Sequence, residues 1–214
     1  MLIVSLTGGI ASGKSVVGEV LRRRGCHLHA ADRTARDLLT PGQPIFEKIL
    51  AHFGRGILAP DGTIDRARLS AIVFAEVRER AVLNGLVHPF VFAAMREIVA
   101  RLETEGKVRI FVHEAALTIE AGFAEFFDKI VVAACPPETQ MRRLEERNGL
   151  SPEAARLRLE AQMPMEEKLD FADYIIDTSG TLEATVAQAE DLYENLLLDE
   201  KVKRQETESG RRPD

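Results

Sequence analysis

Residues 2–15, Leu2-Ile3-Val4-Ser5-Leu6-Thr7-Gly8-Gly9-Ile10-Ala11-Ser12-Gly13-Lys14-Ser15, decide the fold. The apolar run 2–6 stops at a glycine turn and reads as a buried parallel strand. Gly8 to Ser15 then matches G-x-x-x-x-G-K-[ST], the phosphate-binding loop, with a strand before it and a helix after it. Glycines let backbone N–H groups curl around phosphate oxygens, and the helix N-terminus adds partial positive charge. Lys14 can reach the β- and γ-phosphates of a nucleotide, and the Ser15 hydroxyl can ligate Mg²⁺. The expected nucleotide contacts are Gly9, Ile10, Ala11, Ser12, Gly13, Lys14, Ser15 and Val16. From average composition such a match arises by chance in roughly one chain in a hundred of this length. The bland alternative is a glycine turn with no ligand.

Outward from the loop, a helix is expected over 14–24, with Val16, Val17, Val20 and Leu21 facing inward and Gly25 stopping it. Further strands are expected at 26–30, 108–113, 129–134 and 173–176. Helical patterns cover 65–82, 85–104, 137–147, 152–162 and 181–198. Strands alternating with helices predict an α/β fold: a parallel sheet of five strands, helices on both faces, and a helical insertion between the second and third strands. From Asp199 the sequence is charged and poor in apolar residues, so a disordered tail is expected over 199–214.

The 214 residues are 45% hydrophobic and 29% charged, with a net charge of −6. That balance suits one soluble domain with an inserted subdomain and argues against a dedicated nucleic-acid binder. Cys26 and Cys135 are isolated, which excludes CxxC zinc and redox motifs and fits buried thiols in a reducing compartment. No basic segment or long apolar run opens the sequence, so neither signal peptide nor membrane anchor is expected there, and a cytoplasmic location follows. The N-K-x-D guanine signature is missing, which leaves ATP as the expected nucleotide.

Asp32 lies beyond the expected second strand, on the edge where open parallel sheets bind ligands. There it can orient an attacking hydroxyl, or it can cap a helix over 33–39. Arg143 and Arg147 share a helix face, as lid arginines over phosphates or as partners of neighbouring glutamates. Arg156 and Arg158 extend this local basic patch. His88-Pro89 reads as a helix boundary with a partly buried His.

With these residues laid out, the chain resembles the dephospho-coenzyme A kinase family over about residues 1–195. The resemblance rests on Leu6 to Ser15 and Ala31-Asp32, then Phe53-Gly54, Asp61 to Arg66 with Leu69, and Leu83 through His88-Pro89. It continues through Arg143-Leu144 with Arg147, Gln162-Met163-Pro164, and Asp173 to Asp177 with Ser179-Gly180. It implies a P-loop NTPase fold of three layers, with a nucleotide-binding core at about 1–32, 105–136 and 170–198. A helical substrate-binding region would cover 33–104, and a helical lid 137–169. It also implies ATP and Mg²⁺, dephospho-CoA as the acceptor, and a monomer or weak homo-oligomer. Asp32 would be the base, Lys14 and Arg147 would stabilise charge, and Ser15 would anchor the metal. Thr7, Asp32, His88 and Arg143 would lie near the acceptor or the phosphates.

Three positions depart from the family's pattern. Ala30 replaces the first Asp of D-A-D, and Ala116-Leu117-Thr118-Ile119-Glu120 stands where P-L-L-F-E is usual. Asn148 replaces an Asp before the lid glycine. Two alternatives remain at this stage: another small-metabolite kinase, or a nucleotide-binding protein without catalysis.

Overall fold

The computed structural model describes residues 1–209; the expected tail residues 210–214 lie outside them. Two compact units divide the chain, one formed by residues 1–29 and the described residues from 99 onward, the other by residues 30–98.

In the first unit, β1 (Leu2–Thr7) is buried along its whole length, as an apolar run between two neighbouring strands requires. The sheet has five strands in the order β2-β3-β1-β4-β5, with β2 at His27–Ala30, β3 at Ile110–Glu114, β4 at Lys129–Ala134 and β5 at Tyr174–Asp177. The paired strands β1–β3, β1–β4 and β4–β5 run parallel. The register sets Leu6 of β1 beside Glu114 of β3, and Ala134 of β4 beside Asp177 of β5. One edge of the sheet therefore gathers the loop after Thr7, Glu114 and the turn after Asp177.

Helix α1 (Lys14–Arg23) buries Val17, Val20 and Leu21 against Leu2, Val4 and Leu6 of β1, and α9 (Leu182–Ser209) adds Ala189, Leu192 and Leu196 to the same cluster. Gly25 ends α1 in a left-handed conformation (φ 99°), which lets the Cys26 N–H reach back to the Leu21 carbonyl at 3.0 Å. Beyond α1, the two helices are joined by ion pairs from Arg24 to Glu190 and Glu194, with the guanidinium stacked on Tyr193.

The expected disorder from residue 199 is corrected: α9 runs unbroken to Ser209. Its charges are spent on the opposite edge of the sheet from the phosphate loop. Arg109 bonds the buried Glu200, the Tyr174 hydroxyl donates to Asp199 at 2.8 Å, and Lys203 pairs with Asp128. A charged sequence reads as disordered only when its partners, here more than twenty residues away, are out of view.

The second unit is helical: α2 (Ala31–Leu38), α3 (Pro44–Phe53), α4 (Arg66–Ala75) and the first part of α5 (Val77–Glu105). Ile45, Phe46, Ile49, Ile57, Ile64, Leu69 and Val73 are buried in it. The stretch Phe53–Leu69 turns out to be a folding device. Gly54 (φ 77°) closes α3, and Asp61 takes the Thr63 N–H at 3.0 Å. Asp65 caps α4 by accepting from Ala67 and Arg68, while Arg68 donates back to the carbonyls of Gly56 and Leu58.

The expected boundary at Pro89 is also corrected. The break falls at Glu76, which is extended (φ −124°, ψ 111°), and α5 continues through Pro89. Proline forfeits the bond to the Gly85 carbonyl, yet the stripe Val87, Val91, Met95, Val99 and Leu102 is buried at helical spacing and holds the helix together. By length and composition alone α5 is apolar enough to cross a membrane; Val87, Val91, Met95, Val99 and Leu102 along it are buried inside the protein.

Candidate active site

The loop Gly8–Lys14 curls because three residues take backbone conformations that close it. Gly8 has φ 142°, Ala11 is left-handed at φ 56° and Gly13 at φ 89°. Gly8 also needs its missing side chain: a Cβ there would lie 2.3 Å from the Ala133 carbonyl oxygen of β4. The Ser12 carbonyl is held by the buried Thr178 hydroxyl at 2.6 Å, so the turn after β5 braces the loop from behind.

Lys14 leads α1 and folds over its own loop, donating to the carbonyls of Gly8 (3.0 Å) and Gly9 (2.7 Å). Its ammonium thus sits over the concavity where the outer phosphates of a nucleotide would lie. Ser15, on the next position, donates to Glu114 Oε1 at 2.9 Å. A hydroxyl beside a carboxylate is an oxygen donor set that suits a hard divalent cation. Glu114 carries no assigned role in the sequence because the apolar run 108–113 ends one residue short of it. Its signal is position: an acidic residue ending a buried strand at the sheet's ligand-binding edge.

Helix α6 (Pro137–Asn148) supplies the arginines. Arg143 donates to the carbonyls of Ala11 (3.3 Å) and Thr178 (2.6 Å), so it ties the phosphate loop to the turn after β5. Arg147 is exposed in the last turn, where its Nε donates to Asn148 Oδ1 at 3.1 Å. The amide at 148 therefore keeps a contact to the guanidinium without the charge of an Asp. Of the bland expectation that Arg143 and Arg147 pair with neighbouring glutamates, the structure shows no such bond among the described residues; Arg156 does pair with Glu160, at 2.8 Å.

Behind the loop, Gln140 of α6 donates to the Ile10 carbonyl at 2.7 Å. The Ile10 N–H donates to Gln162, in the turn between α7 (Pro152–Glu160) and α8 (Met165–Leu169), also at 2.7 Å. The fully buried Lys168 of α8 bonds Glu120 (2.6 Å) and the Ala116 carbonyl (2.7 Å). Thr7 donates to the same carbonyl at 3.4 Å. The contact at Ala116 uses its backbone, so the absent proline does not remove it. Gln140, Thr178 and Lys168 had no assigned role in the sequence, since each acts on backbone far away in the chain.

A cleft of about 770 Å³ opens beside the loop, lined mainly by apolar groups including Pro136, Met163, Met165 and Ile175, with Gln140, Asp177 and Ser179 as polar points. The Ser179 hydroxyl and then its N–H, which donates to Asp177 at 2.8 Å, hold the Asp177 carboxyl below the usual carboxylate range. Next to Glu114, His113 and His29 are hydrogen-bonded through their Nδ1 atoms at 2.9 Å, one ring donating and the other accepting, and they stack with Phe127 and Phe111. Burial, then the neighbouring His29, pushes the His113 pKa down to about 3, so this pair is neutral. Burial likewise raises the Cys26 thiol to about 12 and moves Cys135 upward, which makes both inert.

Asp32 and His88 belong to the second unit. Asp32 is exposed in the first turn of α2, and the helix's N-cap is Ala30, so the capping alternative for Asp32 is excluded. His88 is half-buried on α5.

A phosphate loop after the central strand of a five-stranded parallel sheet, with Lys14 over its concavity and a Ser–carboxylate pair beside it, defines a P-loop kinase. A solved shikimate kinase from Acinetobacter baumannii shares this fold at 16% identity, with a TM-score of 0.50 over 93% of this chain and 94% of that one. The dephospho-CoA kinase family profile matches residues 2–184, and the chain belongs to that family. Dephospho-CoA kinase of Carboxydothermus hydrogenoformans is 45% identical over 186 residues, which is 87% of this chain and 90% of that protein. The Geobacter sulfurreducens enzyme is 43% identical, covering 90% of this chain and 98% of its own. Among solved structures, dephospho-CoA kinase from Campylobacter jejuni is 30% identical with a TM-score of 0.65, over 91% of this chain and 96% of that one.

Proposed function

We propose that this kinase transfers the γ-phosphate of ATP to the ribose 3′-hydroxyl of dephospho-CoA, giving coenzyme A and ADP, the last step of coenzyme A biosynthesis. The observation that carries the reading is the phosphate loop itself, with its Lys14 and Ser15 arrangement, in a chain of this family.

Transfer is a direct in-line displacement. The 3′-hydroxyl oxygen forms a bond to the γ-phosphorus while the bond to the β-bridging oxygen breaks, and ADP leaves. Asp32 accepts the hydroxyl proton; no other carboxylate remains in the D-A-D position once Ala30 replaces its partner. Lys14 exchanges its carbonyl partners for β- and γ-phosphate oxygens and neutralises their charge. Arg147, exposed at the end of α6, closes over the transferring group. The loop and helix start from Gly9 to Val16 cradle the phosphates, and the apolar cleft beside Pro136 has the size and lining for the base of ATP. Ser15, with Glu114 beside it, would hold Mg²⁺, which supplies charge neutralisation between the phosphates. Thr7, His88 and Arg143 complete the acceptor and phosphate surroundings, Arg143 by holding the loop. This is the chemistry of a cytoplasmic metabolic enzyme working as a monomer or weak homo-oligomer, with no nucleic acid or membrane as partner.

The test is ADP release with ATP and Mg²⁺, comparing dephospho-CoA, pantetheine, adenosine and no acceptor. Release that depends on dephospho-CoA, with coenzyme A as product, is expected. Stoichiometric ATP binding with no release on any acceptor would overturn catalysis, and release driven by another acceptor would overturn the substrate.

A further inference from the structure

Ile10 sits in the middle of the phosphate loop, and glutamines hold both of its backbone polar groups, the N–H by Gln162 and the carbonyl by Gln140, each at 2.7 Å. Gln140 is buried, and Gly9 makes room for it: a Cβ at Gly9 would lie 2.1 Å from Gln140 Nε2. The turn that carries Gln162 is anchored in its own right, since the Met163 N–H donates to Glu120 Oε1 at 3.1 Å and Lys168 grips the same carboxylate at 2.6 Å. A chain of bonds thus runs from the Glu120 segment, through the α7–α8 turn, to the centre of the loop.

We propose that Gln162 is a positioning residue that makes the α7–α8 turn part of the phosphate loop, so that docking of this turn and binding of the ATP triphosphate are coupled. The inference rests on the reading of the loop as the ATP site. A glycine-rich loop loses conformational freedom when it wraps a phosphate, and two bonds at Ile10 set its shape beforehand. Linkage makes the effect reciprocal: whatever Gln162 docking adds to ATP affinity, ATP adds to the docking. It also divides the labour within the loop. With the Ile10 N–H given to Gln162, the phosphates are left to the other amides of the loop and the start of α1.

The experiment uses the full chain with MgATP. Gln162→Met removes the acceptor and keeps the bulk; Gln162→Glu keeps an acceptor oxygen in reach of the Ile10 N–H. Gln162→Met is expected to raise the Kd and KM for ATP about five- to tenfold, the worth of one neutral hydrogen bond, with kcat changed less than twofold. Hydrogen exchange supplies the second readout. In the wild type MgATP slows exchange across residues 163–168; in Gln162→Met it does not, and Gln162→Glu regains protection of the Ile10 amide. Wild-type ATP affinity in Gln162→Met, with the 163–168 amides still protected by nucleotide, overturns the coupling and leaves the ATP site standing. If Gln162→Met does not fold, the wild-type exchange decides alone: no protection of 163–168 by MgATP overturns the coupling. A wild type that binds no ATP overturns the proposed function and the coupling with it.

Discussion

Replacing Gly8 with Ala tests whether the loop is shaped by the strand beside it. The new Cβ would meet the Ala133 carbonyl oxygen at 2.3 Å, where ordinary contact begins at about 3.4 Å, and the Ser12 hydroxyl at 2.8 Å. Either β4 or the loop must move by about 1 Å, and Ala133 pairs with Ile176 of β5, so the shift strains the sheet ladder. The backbone at Gly8 (φ 142°) adds strain of about 1–3 kcal/mol for any residue with a side chain. Together these predict a loss of about 3–5 kcal/mol and kinase activity down at least about a hundredfold. Gly25→Ala is the control. It is also left-handed (φ 99°) but opens onto empty space, so strain alone acts, at about 1–2 kcal/mol, with activity unchanged. Urea unfolding with matched m-values and the ADP-release assay measure both. Equal losses in the two variants, or a Gly8→Ala enzyme within twofold of wild type, would refute the steric argument.

Asp32→Asn keeps the size and removes the base, so kcat should fall about 10²–10⁴-fold in the ADP-release assay while the Kd for ATP stays within twofold. Unchanged turnover would remove Asp32 from its role. Glu114→Gln keeps an oxygen for the Ser15 hydroxyl but loses the charge, so the Mg²⁺ concentration for half-maximal activity should rise about tenfold, read from a Mg²⁺ titration, with thermal stability little changed. The buried histidines give a pH prediction. His113 falls to about 3 in the folded chain from an ordinary 6.5, and His29 moves down too, so the unfolded chain binds more protons below pH 6.5. Stability is therefore complete above pH 6.5 and declines toward pH 3, by up to about 1.4 kcal/mol per pH unit for each proton. A His29→Phe/His113→Phe double variant should flatten this slope in denaturation curves taken at pH 7.5 and 5.5. Arg109→Met leaves the buried Glu200 carboxylate without its partner and should cost about 1–2 kcal/mol in urea unfolding, a discounted value because Arg109 is half exposed.

The sheet and the phosphate loop were legible because their signals are local: an apolar run, a glycine spacing, a lysine and a serine on the first turn of a helix. Asp32 and the arginines were visible as residue types at an edge or on a helix face, but their alternatives were open. Structure excludes the cap for Asp32 and gives Arg143 a backbone to hold. What the sequence hid is the set of distant partners. Gln140 and Thr178 bond carbonyls 130 and 166 residues away, and no spacing rule reaches that far. The same blindness turned the charged end of α9 into an expected tail, since Asp128 and Arg109 lie 75 and 91 residues from Lys203 and Glu200. Helix α3 was not among the expected helices; Pro44 stands at its start, where proline is tolerated and pre-set for the helix.

The way the phosphate loop is braced also sets when it can exist during folding. Its residues are contiguous, yet Ala133 beside Gly8, Gln140 and Gln162 at Ile10, and Thr178 at Ser12 all come from more than 120 positions downstream. The pairing of β1 with β3 and β4 joins Leu2 to Ile110 and Val4 to Lys129, contacts whose loop-closure cost is met late and slowly. The helical unit over residues 30–98 is one continuous stretch of the chain, so its loop closures are shorter and it can form first. An intermediate with that unit complete would still bind no nucleotide, so recovery of ATP binding during refolding reports closure of the sheet.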